Sequence, residues 1–195
     1  MLILASGSPR RRELLDLLGV RFQVEPVEID ESVLPAETPE EAVLRLAIAK
    51  GSAACELHPD RWVLSADTVV AMDDRILGKP LDRIDAMRML RRLSGTEHRV
   101  HTGIALSRSG GLPSAVHSET VVHFRDLDPV EIEAYVATGE PSDKAGAYAV
   151  QGLGGTLVDR VDGELSTVVG LTLSTTARLL SSVGIPHALR DPNGS

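Results

Sequence analysis

The segment WVLSADTVVAM, residues 62–72, places the strongest constraint on how this chain can fold. Its neighbours are apolar almost throughout, which predicts a strand covered by other elements on both faces. Helix and strand patterns are mixed along the rest of the chain, and no long linker or internal repeat interrupts them. Together these features predict a mixed α/β fold. We expect one domain over residues 1–188, followed by a flexible tail at 189–195.

Capping residues predict where the helices begin. Ser8-Pro9 starts a helix at 9–18, and Thr38-Pro39 starts one at 39–57, where Glu41 completes a capping box. Further helices are expected after Asp82, after Asp128 and at 173–183. Strands are expected at 2–5 and 21–25, a turn at 73–74, and one hairpin across glycines 110–111. A second hairpin is predicted to turn at residues 162–163.

The overall charge narrows the function classes. A net charge of −8 argues against a non-specific nucleic-acid binder, so any anion site must be made by a few placed cations. No apolar run is long enough to predict a membrane span. The single cysteine, Cys55, excludes an internal disulfide framework and fits a reducing cytosol. We therefore expect a cytoplasmic protein that binds neither nucleic acid nor membrane.

Two charged residues lie at positions where apolar residues are expected. Lys50 falls in the middle of the apolar stripe of helix 39–57, and Asp67 lies within the buried strand. Lys50 either extends its ammonium to water or points inward at an anion. Asp67 is either a structural carboxylate held by backbone N–H groups, or a general base or Mg²⁺ ligand. Thr68 follows on the opposite face of the strand, or past its end.

The opening loop ASGSPRR joins a strand to a helix N-terminus, where free N–H groups bind anions. Hydroxyls of Ser6 and Ser8 and the guanidinium groups of the arginines add donors suited to phosphate. The glycine-rich segment DKAGAY permits close approach of a ligand to the backbone. With inward lysines and a buried aspartate, these features indicate a site for a polyphosphate with Mg²⁺.

Other motifs carry no such indication. GLGG at 152–155 is not followed by a helix at dinucleotide-binding spacing, and the chain contains no P-loop sequence. His98 and His101 are expected to face opposite sides of one strand. With His117 and His123 we interpret them as ordinary sheet residues.

Four motifs in order, ASGSPRR, SADTVV, GKP and E-P-x-DKAGAYAVQG, resemble the Maf family of nucleoside triphosphate pyrophosphatases over about residues 2–185. The resemblance implies the inosine-triphosphatase-like fold, a bent mixed sheet flanked by helices with a cleft between two lobes. It implies hydrolysis between the α- and β-phosphates of a nucleoside triphosphate with a divalent cation, Mg²⁺ or Mn²⁺, and it allows a homodimer.

The resemblance also implies a role for individual residues. Asp67 matches the catalytic base, and Glu31 and Asp67 match the metal ligands. The family's phosphate contacts match Ser8, Arg11, Lys50, Lys79 and Lys144. Asp143, beside Lys144, belongs to the same matched motif. The positions that distinguish base specificity within the family match Arg10, Thr68 and Gln151. These residues are similar to those of the dTTP/UTP branch. The expected function is therefore release of pyrophosphate from dTTP and UTP, and from modified pyrimidine nucleotides, in nucleotide-pool housecleaning. The alternatives are a 7-methyl-GTP pyrophosphatase and a nucleotide-binding regulator of septum formation.

Overall fold

A computed structural model describes residues 1–73 and 75–190 of the chain. The strands are β1 Leu2–Leu4, β2 Phe22–Val24, β3 Val63–Met72, β4 Arg75–Leu77, β5 Glu97–Ser107, β6 Ser114–Phe124 and β7 Val158–Asp162. The α-helices are α1 Pro9–Leu17, α2 Pro39–Leu57, α3 Arg83–Leu93, α4 Pro129–Ala137, α5 Leu165–Val169 and α6 Leu173–Ser182. Three 3₁₀ turns follow α4, at Glu140–Asp143, Ala145–Ala147 and Leu153–Leu157.

One mixed sheet of seven strands organises the fold, in agreement with the mixed sheet that the resemblance implies. Its order is β2-β1-β3-β5-β6-β7, with β4 paired to β3. Strand β1 runs parallel to β2 and β3, and the remaining pairs are antiparallel. Strand β1 pairs with β3 only at Val63 and Leu64, and β4 pairs with it only from Val70 onward. Between these two pairings, no strand of the described residues pairs with that edge of β3.

Helix α2 covers one face of the sheet at close range. A Cβ on Gly51 would lie 2.7 Å from the Ser107 hydroxyl, and one on Gly103 would lie 2.4 Å from the Val43 carbonyl oxygen. These two glycines allow the helix to pack directly on β3 and β5. Several residues on the buried side of α2 are small, among them Ala47, Gly51 and Ala54, and Lys50 is buried on the same side.

The other face of the sheet carries two separate hydrophobic cores. The first, which we call the α1/α6 core, includes Leu14, Leu15, Leu179 and Leu180; the second, the α3/α4 core, includes Leu90, Leu93, Ile132 and Val136. Strand β3 contributes Leu64 and Ala66 to the first core and Val70 to the second. Because side chains alternate along a strand, Thr68 lies on the same face, between the two cores.

The predicted helix starts are confirmed. The Ser8 hydroxyl caps α1, and capping boxes join Thr38 to Glu41 and Asp128 to Glu131. His98 and His101 face opposite sides of β5, as predicted. The His98 imidazole contacts the Tyr148 hydroxyl, and the His101 imidazole stacks on that of His117.

The predicted hairpin at residues 162–163 is wrong. Strand β7 pairs with β6, and the chain then enters the short helix α5. Gly163, at φ +133°, reverses the chain into α5 rather than into a strand. The β-branched residues of LSTVV favour a strand, so the sequence does not predict α5. Strand β4 was not predicted either.

Two sequence predictions fall partly on residues outside the described ranges. Asp73 has φ +50°, as expected in a turn, while position 74 lies outside them. The predicted tail at 189–195 is described only at 189–190, where Leu189 is exposed. Across residues 1–73 and 75–190, no helix is long and apolar enough to cross a bilayer.

Candidate active site

A cavity of about 360 Å³ opens at the unpaired edge of β3, between the two cores. It reaches both faces of the strand, so Asp67 and Thr68 border the same space from opposite faces. All of the predicted site residues line this cavity: Ser8, Arg10, Arg11, Glu31, Lys50, Asp67, Thr68, Lys79, Lys144 and Gln151. The structure therefore brings together residues from widely separated parts of the chain.

Lys50 points inward from α2 and is buried. Its ammonium donates a hydrogen bond to Asp67 Oδ1 at 2.6 Å and forms an ion pair with Glu31 Oε1, also at 2.6 Å. Of the two sequence interpretations, the inward cation is the one observed. The Nζ atom therefore contacts two carboxylates, that of Asp67 on β3 and that of Glu31 in the loop before α2.

Asp67 is buried, and its partner is a lysine rather than a loop backbone. Within the described residues, Oδ1 accepts the bond from Lys50, while Oδ2 accepts no hydrogen bond and borders the cavity. An ionised carboxylate in this environment needs the paired cation. Lys50 supplies that charge and leaves one carboxylate oxygen free to contact a water molecule or a cation.

Glu31 lies in the loop between β2 and α2, with its side chain 57% exposed. The hydrogen bond from Lys50 holds the pKa of the Glu31 carboxyl below its ordinary value, against a smaller opposing effect of burial. Glu31 is therefore an anion at neutral pH that faces both Lys50 and the cavity. The loop around it shows no periodicity, so the resemblance to known motifs was the only signal for choosing this acid.

Arg11 is held in a fixed orientation by three acceptors. Its Nε donates to the Gly170 carbonyl at 2.9 Å, Nη1 to the Ser6 hydroxyl at 3.1 Å and Nη2 to the Thr68 hydroxyl at 3.2 Å. Burial lowers the pKa of this guanidinium, and the nearby charge of Asp67 partly offsets the effect. The planar group is thus positioned at the cavity wall before any ligand binds.

The other two arginines of the first turn of α1 have different surroundings. Arg10 lines the cavity, whereas Arg12 is exposed and lies 3.9 Å from Asp16, one turn along the same helix. No acidic residue occupies the first turn of α1. Two of the three arginines therefore face a space that can hold an anion, and the third faces solvent.

Lys79 and Lys144 approach the cavity from two adjoining loops. The amide of Gly146 donates to the Gly78 carbonyl at 3.1 Å and ties these loops together. Gly146 has φ +70°, and a Cβ there would lie 3.0 Å from Val70, so the position requires glycine. The Lys144 ammonium is bonded to Asp143, which holds the pKa of that carboxyl below its ordinary value.

Thr68 and Gln151 occupy different parts of the cavity wall. The Thr68 hydroxyl contacts the hydroxyl of Thr102 at 2.9 Å and accepts a bond from Arg11. Gln151 is exposed in the turn that follows Tyr148. Apolar wall residues that the sequence did not single out are Val27, Val70, Val100, Val150, Val168 and Val169.

The Gly170 carbonyl is the main site element that sequence reasoning missed. Gly170 is the C-cap of α5 at φ +119°, and it accepts the hydrogen bond from Arg11 Nε. The available signal was the glycine that ends a short apolar run, a frequent helix terminus. The β-branched residues before it favoured a strand instead.

The cavity is locally cationic in an acidic protein. Five cationic side chains face three carboxylates in its wall, although the chain as a whole carries a net charge of −8. Within the described residues no cluster of three or more His, Cys, Asp or Glu side chains could hold a metal ion by itself. Glu31 and Asp67 do provide two hard oxygen donors, which suits a Mg²⁺-type ion that completes its shell with phosphate oxygens and water.

Comparison with known proteins decides the family. The model of the family described as "Maf-like protein" matches residues 1–183. The chain belongs to the Maf-like protein family. Two curated members of similar length are both named dTTP/UTP pyrophosphatase. The protein of Anaeromyxobacter sp. (strain Fw109-5) is 51% identical over 99% of this chain and 94% of its own length. That of Symbiobacterium thermophilum is 48% identical over 95% of each chain.

A solved structure supports the fold of this Maf-like chain. The HAM1 protein from Coxiella burnetii matches with a TM-score of 0.53 and 18% sequence identity, over 93% of this chain and 98% of that one. The predicted inosine-triphosphatase-like fold is thereby confirmed.

Proposed function

We propose that this Maf-like chain is a dTTP/UTP pyrophosphatase, which converts these nucleoside triphosphates to the monophosphate and pyrophosphate. The observation that carries the proposal is the cationic cavity in which Asp67, Lys50, Glu31 and Arg11 lie together. A nucleoside triphosphate requires several cations around its phosphates and an oriented water for hydrolysis. Relatives of about 50% identity that bear this name support the same activity.

Asp67 is the residue we assign to the attacking water. Its Oδ2 atom faces the cavity without a hydrogen bond from the described residues, and its Oδ1 is held by Lys50. The water oxygen forms a bond to the α-phosphorus while its proton passes to the Asp67 carboxylate. The bond between the α-phosphorus and the bridging oxygen breaks, and pyrophosphate leaves with the electron pair.

A divalent cation fits the donor set, since Glu31 and Asp67 both line the cavity and each places a carboxylate oxygen 2.6 Å from Lys50 Nζ. When bound, such an ion neutralises phosphate charge and polarises the phosphorus–oxygen bonds. Mg²⁺ and Mn²⁺ are the ions we propose. Glu31 and Asp67 would hold it, and Lys50 would keep the two carboxylates from repelling each other before it binds.

The remaining cations neutralise charge on the triphosphate. Arg11 offers a preorganised guanidinium, while Lys79 and Lys144 line the same cavity from two adjoining loops. Negative charge that develops on the leaving pyrophosphate is stabilised by such fixed cations without reorganisation. The Ser8 hydroxyl and the N-terminal N–H groups of α1 add neutral donors on the helix that also carries Arg11.

Arg10, Thr68 and Gln151 are the residues we assign to base selection. A glutamine amide has one acceptor and two donors, which can pair with the carbonyl and N–H edge of uracil or thymine. The names of the matched relatives support dTTP and UTP over 7-methyl-GTP. Housecleaning of the pyrimidine nucleotide pool is the corresponding role.

A nucleotide panel tests the proposal. The protein is incubated with dTTP, UTP, 7-methyl-GTP and GTP in Mg²⁺ and then in Mn²⁺, and pyrophosphate is assayed separately from orthophosphate. We expect pyrophosphate as the first product, fastest from dTTP and UTP. Orthophosphate as the first product would refute the reaction. Tight nucleotide binding with negligible turnover would favour the regulator of septum formation.

Three further predictions stay predictions. They are a single catalytic domain over residues 1–188, a homodimer in solution and a cytoplasmic location. Limited proteolysis, sedimentation and cell fractionation would test them in turn.

A further inference from the structure

The carboxylate of Glu140 lies behind the turn that carries Gln151, outside the lining of the cavity. Its Oε1 accepts hydrogen bonds from the Tyr135 hydroxyl at 2.8 Å and from the Gly154 amide at 2.9 Å. Its Oε2 accepts one from the Leu153 amide at 3.0 Å. Both carboxylate oxygens are therefore occupied by the protein itself.

A second contact holds the other end of the same turn. The Tyr135 hydroxyl, which donates to Glu140, accepts a hydrogen bond from the Ala149 amide at 3.3 Å. A Cβ on Gly152 would lie 2.4 Å from the Glu140 carboxylate, and one on Gly154 would lie 2.5 Å from the Tyr135 hydroxyl. The turn from 149 to 154 therefore rests directly on these two side chains, at a distance that only glycine permits.

Glu140 is charged in this environment. Burial raises the pKa of its carboxyl, but the donors from Gly154, Tyr135 and Leu153 together outweigh burial and keep that pKa below its ordinary value. Hydrogen bonds from backbone N–H groups to an ionised carboxylate are stronger than those between neutral groups. Glu140 thus fixes the turn more firmly than a neutral side chain of the same shape could.

Gln151 depends on this support. Within the described ranges its side chain makes no hydrogen bond, so the path of the backbone decides where its amide lies. Glu140 also begins the 3₁₀ turn that ends at Asp143, immediately before Lys144. One residue therefore joins the wall that carries the amide of Gln151 to the wall that carries the ammonium of Lys144.

We infer that Glu140 is a positioning residue for base selection, which acts by holding the 149–154 turn so that the Gln151 amide meets the base. This inference rests on the proposed function, because it assigns a role within the same site. Glu140 is not among the residues that line the cavity, so its effect on base selection passes through the turn that carries Gln151.

Glu140→Gln tests the inference. The variant replaces one acceptor oxygen by an NH₂ group that faces backbone N–H donors, so at least one bond to the turn is lost. We expect kcat/KM for UTP to fall about tenfold, mainly through a higher KM, while kcat/KM for GTP stays unchanged. The ratio of UTP to GTP activity falls by the same factor.

Two further variants separate positioning from a loss of stability. Glu133→Gln makes the same change at an exposed position of α4 and leaves the ratio unchanged. In a Gln151→Ala background, Glu140→Gln has no additional effect on the ratio, because the group it positions is absent. A merely structural role would instead lower activity on both nucleotides equally in either background.

The outcomes decide the inference in each case. An unchanged UTP to GTP ratio in folded Glu140→Gln overturns it, as does a full additional loss in the Gln151→Ala background. If Glu140→Gln does not fold, Tyr135→Phe, which removes the hydroxyl contact to the turn, must lower the ratio in the same direction. If the unmodified protein shows no turnover, the proposed function fails separately. The ratio of Kd values for UTP and GTP, measured by calorimetry, then decides the role of Glu140.

Discussion

Two carboxylate–cation pairs of this protein use their oxygens differently. On the surface, Oε1 of Glu131 accepts a hydrogen bond from Arg125 Nη2 at 2.8 Å. Its Oε2 accepts one from Arg125 Nη1 at 2.9 Å and one from the Asp128 amide at 3.1 Å. In the cavity, Asp67 accepts from Lys50 at Oδ1, and its Oδ2 accepts no hydrogen bond from the described residues. The exposed pair is saturated, whereas the buried pair is not.

This difference separates a structural carboxylate from one available for chemistry. Glu131 completes the capping box of α4, and both of its carboxylate oxygens accept hydrogen bonds from Arg125 or from the Asp128 amide. The buried Asp67 carboxylate has a greater desolvation cost than the exposed Glu131 carboxylate, yet one of its oxygens faces the cavity without a hydrogen bond from the described residues. We therefore expect substitutions at the first pair to change stability alone and substitutions around the second to change activity.

Asp67→Asn should give the largest effect. The asparagine keeps the shape of the side chain but removes the proton acceptor, so we expect kcat/KM for UTP to fall about 10³-fold. The matched variant Glu131→Gln should leave kcat/KM unchanged and lower the melting temperature slightly. Equal activity in the two variants would remove the distinction between the pairs.

Arg11→Lys should give the next largest effect. A lysine cannot donate to Ser6, Thr68 and Gly170 together and lacks the planar group suited to phosphate, so we expect kcat/KM to fall about 10²-fold. Arg125→Lys makes the same change in the surface pair and should not alter kcat/KM. Steady-state kinetics on UTP would show retention of activity in Arg11→Lys if the guanidinium had no role.

Gly170→Ala should have a smaller effect that passes through Arg11. Its backbone has φ +119°, and the added Cβ would lie 3.4 Å from Arg11 Nε and 3.3 Å from the Thr68 hydroxyl. We expect kcat/KM to fall about tenfold as the guanidinium shifts. Gly184→Ala, at φ +73° with open space around it, is the control for backbone strain and should lower the melting temperature only.

A buried histidine outside the cavity should contribute to the pH dependence of stability. Burial lowers the pKa of His98 to about 4 from 6.5, so the unfolded chain binds the additional proton between these values. The contribution of His98 to stability is therefore complete above pH 6.5 and declines by about 3 kcal/mol as the pH falls towards 4. Urea unfolding of His98→Gln should lack this decline, while its activity at neutral pH should be retained.

The surface pair should respond only in stronger acid. The hydrogen bonds from Arg125 lower the pKa of Glu131 to about 2 from 4.5, so its contribution is present above pH 4.5 and is lost towards pH 2. The loss of stability that Glu131→Gln causes at neutral pH should therefore vanish at the acid end of the same series. Persistence of that loss near pH 2 would contradict the assignment.

The parts of the site that the sequence could predict are those governed by periodicity. The apolar helical stripe singles out Lys50 as a misplaced charge, and the buried strand singles out Asp67 as a carboxylate that needs a partner. Caps marked the starts of α1, α2 and α4 for the same local reason. Each of these signals depends on neighbours within one element.

The parts that could not be predicted depend on contacts between distant segments. Glu31 belongs to a loop without periodicity, and its link to Lys50 is made only in the folded chain. The Gly170 carbonyl reaches Arg11 across 159 residues of sequence, from a helix whose β-branched residues resemble a strand. Glu140 contacts a turn 13 and 14 residues later, at a spacing that no local rule identifies.

In the proposed reaction, a water molecule held by Asp67 attacks the α-phosphorus. Hydrolysis of UTP in H₂¹⁸O, followed by mass spectrometry of both products, shows which phosphorus is attacked. We expect one ¹⁸O atom in UMP and none in pyrophosphate, with the signal strongly reduced in Asp67→Asn and normal in Glu131→Gln. Label in pyrophosphate would instead place the attack on the β-phosphorus and refute the proposed role of Asp67.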